Sequence, residues 1–406
     1  MNPLKYALAL ATTGLCLSAA AADDLVSQGE YLTRAADCTA CHTVAGGKPF
    51  AGGLPFKLPF GTLYSPNITP DVDTGIGAWS DDDFVSALQK GVGKDGKHYY
   101  PAFPYTSYTL MPREEILAIK AYLFSLAPVK QAPPENDIGF PFNQRWGMAF
   151  WNALFLDDQR FQPNPQQSAE WNRGAYLVQG PGHCGECHTP RNLFQAVDKD
   201  RPLAGTLLGN WQAYNISGDS RYGIGAWPQE ALVSYLGKGY APGYGMAGGP
   251  MADAVEHSLR YLQPSDLQAI ALYLKSTPAQ AEGIARPQAE INDGPLKPGD
   301  ELGRKLFVDA CAACHRLDGQ GNQTGVATLL GIKTVNDPQG TNLIAVLLGG
   351  HQRPNASVAQ QMPDFARGYS DKELAAVSTF VLQRFGQSGA RVTPLQVKQS
   401  RSQSLH

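Results

Sequence analysis

The pentapeptide CTACH at residues 38–42 returns as CGECH at 184–188 and as CAACH at 311–315. These three copies contain every cysteine of the chain except one, Cys16. With 7 cysteines and 8 histidines in 406 residues, chance alone would produce about 0.002 copies of Cys-x-x-Cys-His. The repeated motif therefore decides how the rest of the sequence is interpreted.

The spacing of this motif suits the covalent attachment of a haem. Two cysteines three residues apart lie on one face of a helical turn. Their sulfur atoms can add to the two vinyl groups of one haem, and the next histidine can bind the iron. The sequence thus predicts three haem c groups, attached through Cys38, Cys41, Cys184, Cys187, Cys311 and Cys314 and bound at iron by His42, His188 and His315.

Three other uses of paired cysteines fit less well. Structural disulfides do not explain a histidine after every second cysteine. A zinc ribbon needs two pairs about 15–20 residues apart, and these pairs are much further apart along the chain. A thioredoxin-like redox pair needs an alternating strand–helix context, which the sequence lacks.

The beginning of the chain is typical of a secretory signal. Lys5 provides the positive charge, residues 6–17 form an apolar run, and residues 18–22 are small. Cys16 follows Leu15, where a lipoprotein signal has a small residue, so lipidation is disfavoured. We expect cleavage after residue 22, and six cysteines in an exported, oxidising compartment.

Composition excludes several classes of protein. Hydrophobic residues make up 43% of the chain and charged residues 17%, with 43 Gly and 30 Pro, which indicates a folded, loop-rich protein. The net charge of −3 offers no basic surface for nucleic acid. No apolar run reaches the roughly 18 residues of a membrane-spanning helix, so a multispan transporter is disfavoured.

The sequence around each motif repeats as well, which predicts three similar domains. A short helix precedes each motif, a second helix that ends at glycine follows it, and a third, amphipathic helix closes the repeat. Ser80 is an expected N-cap, Pro228 suits a first helical turn, and Gly91, Gly237 and Gly349 suit helix ends. The first helices contain residues 29–32, 174–177 and 303–307, the second span 81–90, 228–236 and 342–348, and the closing helices span 113–125, 264–275 and 370–385.

These repeats define the expected domain boundaries. Gly29, Gly174 and Gly303 favour close packing of the first helix on the closing helix, although the closing helix could simply cover a core. The predicted order is signal peptide 1–22, domain 23–135, aromatic linker 136–167, domain 168–280, linker 281–297, domain 298–388 and polar tail 389–406.

The first two repeats share a further segment, from Asn67 to Trp79 and from Asn215 to Trp227. Its glycines allow the backbone to approach a flat cofactor closely. Trp79 and Trp227 either donate their indole N–H to haem propionates or belong to the core. The third repeat lacks this segment and is the shortest.

One methionine follows the second helix of each repeat: Met111, Met251 and Met362. A single buried methionine usually fills space, but the same relative position three times predicts the second axial ligand of each iron. Met246 is an alternative to Met251. His98, His257 and His351 are alternatives that would give bis-histidine haems. A histidine–methionine pair raises the reduction potential, as suits an electron acceptor.

With these landmarks, the mature chain resembles the triple-haem cytochrome c subunit of membrane-bound bacterial dehydrogenases. These include gluconate, sorbitol and fructose dehydrogenases and quinoprotein alcohol dehydrogenase. Further landmarks of the resemblance are Phe103-Pro104-Tyr105, residues 140–146 (FPFNQRW), Gly249-Pro250-Met251 and residues 362–365 (MPDF).

The resemblance implies a mainly α fold of three tandem class I cytochrome c domains, each around one covalent haem c. It also implies the axial pairs His42/Met111, His188/Met251 and His315/Met362. The protein would lie on the periplasmic side of the inner membrane and pass electrons from a partner dehydrogenase subunit to ubiquinone or a terminal oxidase.

No residue of the chain is assigned a catalytic role, and no nucleotide-binding fingerprint is evident. We therefore expect an electron-transfer subunit that is not an enzyme by itself. The expected partners are a flavin- or quinone-dependent large subunit and a small subunit; a molybdenum partner is an alternative. A free periplasmic shuttle and a multihaem peroxidase or reductase are alternative functions.

The linker from Phe140 to Phe161 contains seven aromatic residues. They either pack between the first two domains or form a docking or membrane-interface surface, where Trp and aliphatic residues favour the headgroup boundary.

Overall fold

The computed structural model describes residues 23–58, 60–295, 297–322, 325–351 and 361–404. The expected signal peptide, residues 1–22, lies outside the described residues. The chain forms two compact units: the residues up to Gln166 with Tyr176–His183, and residues Gln167–Ala175 with Cys184–His406. No helix in the described part of the chain is both long and apolar enough to cross a bilayer.

The first unit contains the first motif, short helices and a small antiparallel sheet. The helices are α1 (residues 23–35), α2 (Cys38–His42), α3 (Asp81–Lys90), α4 (Tyr105–Tyr108), α5 (Arg113–Ser125) and α6 (Gly147–Phe155). Strands β1 (Pro55–Leu58), β2 (Gly61–Tyr64) and β3 (Asp137–Ile138) pair in that order. Pro55 lies opposite Tyr64, and Gly61 lies opposite Ile138.

The second unit contains the second and third motifs. Helix α7 (Ala169–Gln179) begins in this unit. A π-helical turn, Phe307–Cys311, ends at the first cysteine of the third motif. Its strands are β4 (Thr206–Leu208), β5 (Trp211–Ala213), β6 (Tyr240–Ala241) and β7 (Gly245–Met246), and its other helices are α8 (Cys184–His188), α9 (Gln229–Lys238), α10 (Pro250–His257), α11 (Pro264–Ser276), α12 (Glu301–Leu306), α13 (Ala312–His315), α14 (Thr341–Gly349), α15 (Asp371–Phe385) and α16 (Pro394–Ser404).

The close packing of the first helix of each repeat on its closing helix is confirmed. A Cβ atom added to Gly174 would lie 2.0 Å from the carbonyl oxygen of Ala269, and one added to Gly303 would lie 2.2 Å from that of Ala376. No side chain fits at such distances, so the two helix backbones touch. The aromatic residue of the closing helix belongs to the apolar core of its repeat, for example Phe380 in the third repeat.

Two of the predicted second helices end later than expected. Helix α3 spans the predicted residues, with a capping box at Ser80 and Gly91 at φ 64°. Helix α9, however, continues past Gly237 to Lys238 and ends at Gly239, whose φ is 78°. A Cβ at Gly237 would lie 2.9 Å from the Leu267 side chain, so this glycine serves packing against α11.

Helix α14 likewise includes Gly349, which the sequence suggests as its end, and the left-handed residue is Gly350 at φ 68°. The left-handed conformation favours glycine at this position. Helix α15 begins one residue later than expected because Ser370 is its N-cap, with a capping box to Glu373. Pro228 similarly precedes α9 as its N-cap.

The segment that we expected as a polar tail contains an ordered helix. Helix α16 begins at Pro394, and its Val397 is fully buried in the apolar core of the third repeat, beside Val392. Two valines among polar residues give a weak sequence signal. The tail therefore contributes to the core that surrounds the third motif.

Candidate haem sites

Each Cys-x-x-Cys-His motif forms a short helical turn. Within the described residues, none of the six cysteines is joined in a disulfide. Burial raises the pKa of Cys38 and of Cys184 to about 12, and that of Cys311 to about 11. A thioredoxin-like pair instead lowers the pKa of its nucleophilic cysteine. These values argue against a thioredoxin-like redox pair at any of the three motifs.

The three motif histidines make the same hydrogen bond. Nδ1 of His42 lies 2.8 Å from the carbonyl oxygen of Pro66, Nδ1 of His188 lies 2.7 Å from that of Tyr214, and Nδ1 of His315 lies 2.7 Å from that of Ala327. A carbonyl oxygen only accepts, so Nδ1 carries the proton and Nε2 presents its lone pair.

This arrangement is that of a histidine prepared to bind a metal. A backbone acceptor at Nδ1 fixes the tautomer and the ring orientation of a ligating histidine. Burial lowers the pKa of all three imidazoles, although the bond to the carbonyl opposes this effect. Each ring is thus held neutral, as coordination of iron requires.

A buried asparagine secures the acceptor carbonyl in the first two repeats. Asn215 directly follows Tyr214 and donates to the carbonyl oxygens of Gln280 at 2.7 Å and Glu282 at 2.9 Å. Its own Oδ1 accepts from the backbone N–H of Ser217 at 2.9 Å. Asn67 makes the equivalent bonds in the first repeat.

The sequence marks these asparagines as the first residues of the shared segment but does not reveal their role. The carbonyl that each one supports belongs to the preceding residue, and a backbone atom leaves no trace in the sequence. The third repeat, which lacks the segment, accepts the bond from His315 on a closer loop, at Ala327.

Trp227 offers an unused donor. Its indole Nε1 is buried and has no hydrogen-bond partner among the described residues. The ring packs against Tyr235 and Tyr244, with centroid distances of 5.8 Å and 4.5 Å. A buried N–H without an acceptor is costly, so the site fits an acceptor supplied by a bound group, such as a haem propionate. Trp79 is partly buried against the first core.

Two of the three methionines lie in a core that also contains a motif cysteine. Met111 is fully buried in the same cluster as Cys38. Met362 packs in the same cluster as Cys311. Met251 lies in the first turn of α10, and the alternative Met246 lies in β7; both are half-buried.

The alternative histidines lie at different places. His351 is buried and pairs with Met362 in an isolated antiparallel bridge, with N···O distances of 2.7 Å and 2.8 Å. His98 lies 3.3 Å from the side chain of Asn152 through Nδ1, and His257 ends α10. One candidate histidine, His351, and one candidate methionine, Met362, therefore both lie near the third motif.

The aromatic linker has a packed side and an exposed side. Trp151 packs on Tyr105 at 6.4 Å and on Phe155 at 5.2 Å between ring centroids. The following large side chains are instead mostly exposed: Phe140 (81%), Phe142 (53%), Trp146 (67%), Phe150 (67%) and Leu154 (73%). Trp151 therefore packs within the first unit, and the docking or membrane-interface role of the exposed side chains stays a prediction.

Comparison with known proteins agrees with this geometry. The cytochrome c family model matches residues 26–127 and 301–384, which include the first and third motifs. The chain is 41% identical to the gluconate 2-dehydrogenase cytochrome c subunit of Pantoea cypripedii, over 96% of this chain and 93% of that protein. It is 36% identical to the fructose dehydrogenase cytochrome subunit of Gluconobacter japonicus, over 93% and 82%.

A third relative is much longer. The chain is 41% identical to a nicotinate dehydrogenase subunit of Pseudomonas putida over 89% of its own length, but it spans only 30% of that protein.

Proposed function

Because the chain belongs to the family of cytochrome c subunits of dehydrogenases, we propose that it carries electrons from a partner dehydrogenase subunit to ubiquinone or another component of the respiratory chain. One observation supports this more than any other. All three motif histidines donate Nδ1–H to a backbone carbonyl and so present Nε2 to a metal.

We propose three haem sites of the same design. The paired cysteines of each motif bind the porphyrin covalently, and His42, His188 and His315 bind the iron. Met111, Met251 and Met362 complete the three coordination spheres. A haem c bound in this way supplies an iron that accepts and releases one electron.

The chain's own residues orient the group and exclude water from it. The fixed tautomers of the histidines present the lone pair in one direction, and Asn67 and Asn215 hold the acceptor loops in place. Buried Met111 and the apolar residues around Cys38 keep the first site dry, which raises the potential together with the thioether ligand.

With both axial positions filled by protein ligands, no iron is left open for a substrate. The chain is therefore proposed to have no oxidation activity alone, and the partner subunit carries the catalytic site. Alcohols, sugars and sugar acids are the proposed donors of the partner. Nicotinate is a further candidate because one relative is named for it.

We further propose that the protein is exported by a cleaved signal peptide and lies on the periplasmic face of the inner membrane. The exposed side of the aromatic linker supports a peripheral association. Trp146, Phe150 and Leu154 are all more than half exposed, and Trp and apolar side chains at a surface favour the lipid headgroup boundary.

Purification of the native protein from membranes tests the proposal. We expect a dehydrogenase subunit to co-purify, and intact-mass measurement to show three covalent tetrapyrroles. Ubiquinone reduction should require the complete complex, and the isolated chain should oxidise no sugar or alcohol. Recovery of a haem-free chain, or of a single chain from the soluble fraction, would contradict the proposal.

A further inference from the structure

A lysine of the third repeat is buried against the loop that supports the second motif. Lys333 begins a 3-10 turn and is only 6% exposed. Its Nζ donates to the carbonyl oxygens of Asn215 at 3.3 Å and Gly223 at 3.2 Å, and to that of Tyr222. Its partners thus all belong to the second repeat.

This loop contains the acceptor of His188. Nδ1 of His188 bonds the carbonyl oxygen of Tyr214, and Nζ of Lys333 lies 5.8 Å from the centroid of the Tyr214 ring. The ammonium of Lys333 therefore lies beside the residue whose carbonyl orients His188, without touching the imidazole.

The charge is not neutralised by a direct ion pair. Among the described residues, Lys333 makes no salt bridge; carbonyl oxygens accept the hydrogen bonds of its ammonium. The charge of Asp219 attracts the ammonium, and that of Arg286 repels it. A buried charge without a paired counter-charge reduces stability, and an apolar side chain of similar volume would avoid this cost.

Other hydrogen bonds join the same two repeats independently of Lys333. Asn342 and Gln212 exchange two hydrogen bonds, at 2.7 Å and 3.0 Å, between α14 and β5. Arg286 donates to the carbonyl oxygens of Gly331 at 2.7 Å and Gly243 at 2.7 Å. These bonds also join the third repeat to the second, so Lys333 is not needed merely to connect them.

We propose that Lys333 is a positioning residue that raises the reduction potential of the second haem by placing a fixed positive charge beside the His188 loop. The inference rests on the proposed function, since it requires haem at the second site. A positive charge in a poorly screened position stabilises the reduced iron, which carries one positive charge fewer. The third repeat thereby sets the potential of its neighbour.

Redox titration of the purified three-haem protein tests this role. Lys333→Met removes the charge and retains most of the volume. We expect the reduction potential of one of the three haems to fall by about 59 mV. For a one-electron couple this corresponds to a tenfold change in the ratio of oxidised to reduced iron. Lys333→Arg should keep the wild-type potential because it retains the charge.

Two further variants separate charge from packing. Lys199→Met makes the same charge change at an exposed position of the second repeat and should leave all three steps unchanged. Asp219→Asn removes the attractive charge near Lys333 and should shift the potential in the opposite direction when it is titrated at about pH 6, where Lys333 stays charged; this holds even where Lys333→Met fails to fold. Unchanged potentials in Lys333→Met and Asp219→Asn would overturn the role of Lys333 but leave the proposed function standing. A haem-free wild-type protein would overturn both.

Discussion

A methyl group on Gly29 would lie 1.9 Å from the carbonyl oxygen of Ala118, so α1 meets α5 with backbone against backbone. The Cβ atom of Tyr122, one turn further along α5, would lie 2.9 Å away. The same contact recurs at Gly174 and Gly303. The first helix of each repeat can therefore lie only where a glycine permits it.

Replacement of Gly29 by alanine should destabilise the first unit. Overpacking of this kind costs about 1–3 kcal/mol, which exceeds the gain in helix propensity of about 1 kcal/mol. Denaturant unfolding followed by circular dichroism measures the change. Gly147→Ala in α6 is the control, since no atom lies within 4 Å of an added Cβ there; equal stability of the two variants would contradict the prediction.

Replacement of Asn215 by aspartate should weaken the loop behind His188. The carboxylate still accepts from Ser217, but the carbonyl oxygens of Gln280 and Glu282 lose their donor. We expect the free energy of unfolding to fall by about 1–3 kcal/mol. Asn143→Asp, at an exposed position, should have little effect, and a wild-type midpoint for Asn215→Asp would disprove the support role.

Single replacements of methionine by alanine identify the sixth ligands. Each of Met111→Ala, Met251→Ala and Met362→Ala should remove about a third of the far-red sulfur-to-iron absorption band of the oxidised protein, because each removes one of three thioether ligands. Met246→Ala is the matched control in the second repeat and should retain the whole band. Loss of the band in Met246→Ala alone would exchange the two assignments.

The exposed side of the aromatic linker should contribute to membrane retention. Trp146→Ser with Phe150→Ser removes two large exposed side chains and should shift the protein from the membrane fraction to the soluble fraction. Trp151→Ser, by contrast, should reduce stability because Trp151 packs on Tyr105. If the double variant stays in the membrane fraction, partner subunits alone hold the protein there.

The potential of the second haem should depend on pH. Burial lowers the pKa of Lys333 to about 8, so the ammonium is mostly charged at pH 7 and loses its proton as the pH rises through about 8. Loss of a positive charge favours the oxidised iron, and one potential should therefore fall across this range. Asp219 stays charged because the hydrogen bond from the Tyr222 backbone N–H lowers its pKa, and Tyr214 stays neutral because burial raises its pKa.

Redox titrations between pH 6 and pH 9.5 check this dependence (roughly two units below and 1.5 units above the pKa). In Lys333→Met this fall in potential should be absent, since no group at that position titrates. A potential that falls equally in both proteins would assign the effect to another group.

Local signals along the chain predict much of the fold. Ser80 and Ser370 mark helix starts because their side chains cap the backbone within three residues. Gly91 marks a helix end for the same local reason. Gly237 misleads because it lies inside α9 and packs against Leu267, and a sequence does not distinguish a packing glycine from a helix end. Gly349 misleads because the next residue, Gly350, ends the helix instead.

The sequence by itself determined the chemistry of this protein, since the order Cys-x-x-Cys-His places thiols and imidazole on one helical turn without help from distant residues. Only the tertiary structure revealed the carbonyls that orient the histidines, the asparagines that hold those loops, and the burial of Lys333 beside its neighbour's site. These features join residues up to 118 positions apart, as between Lys333 and Asn215. Backbone acceptors and buried charges depend on contacts between segments that are distant in the sequence, and no local pattern encodes them.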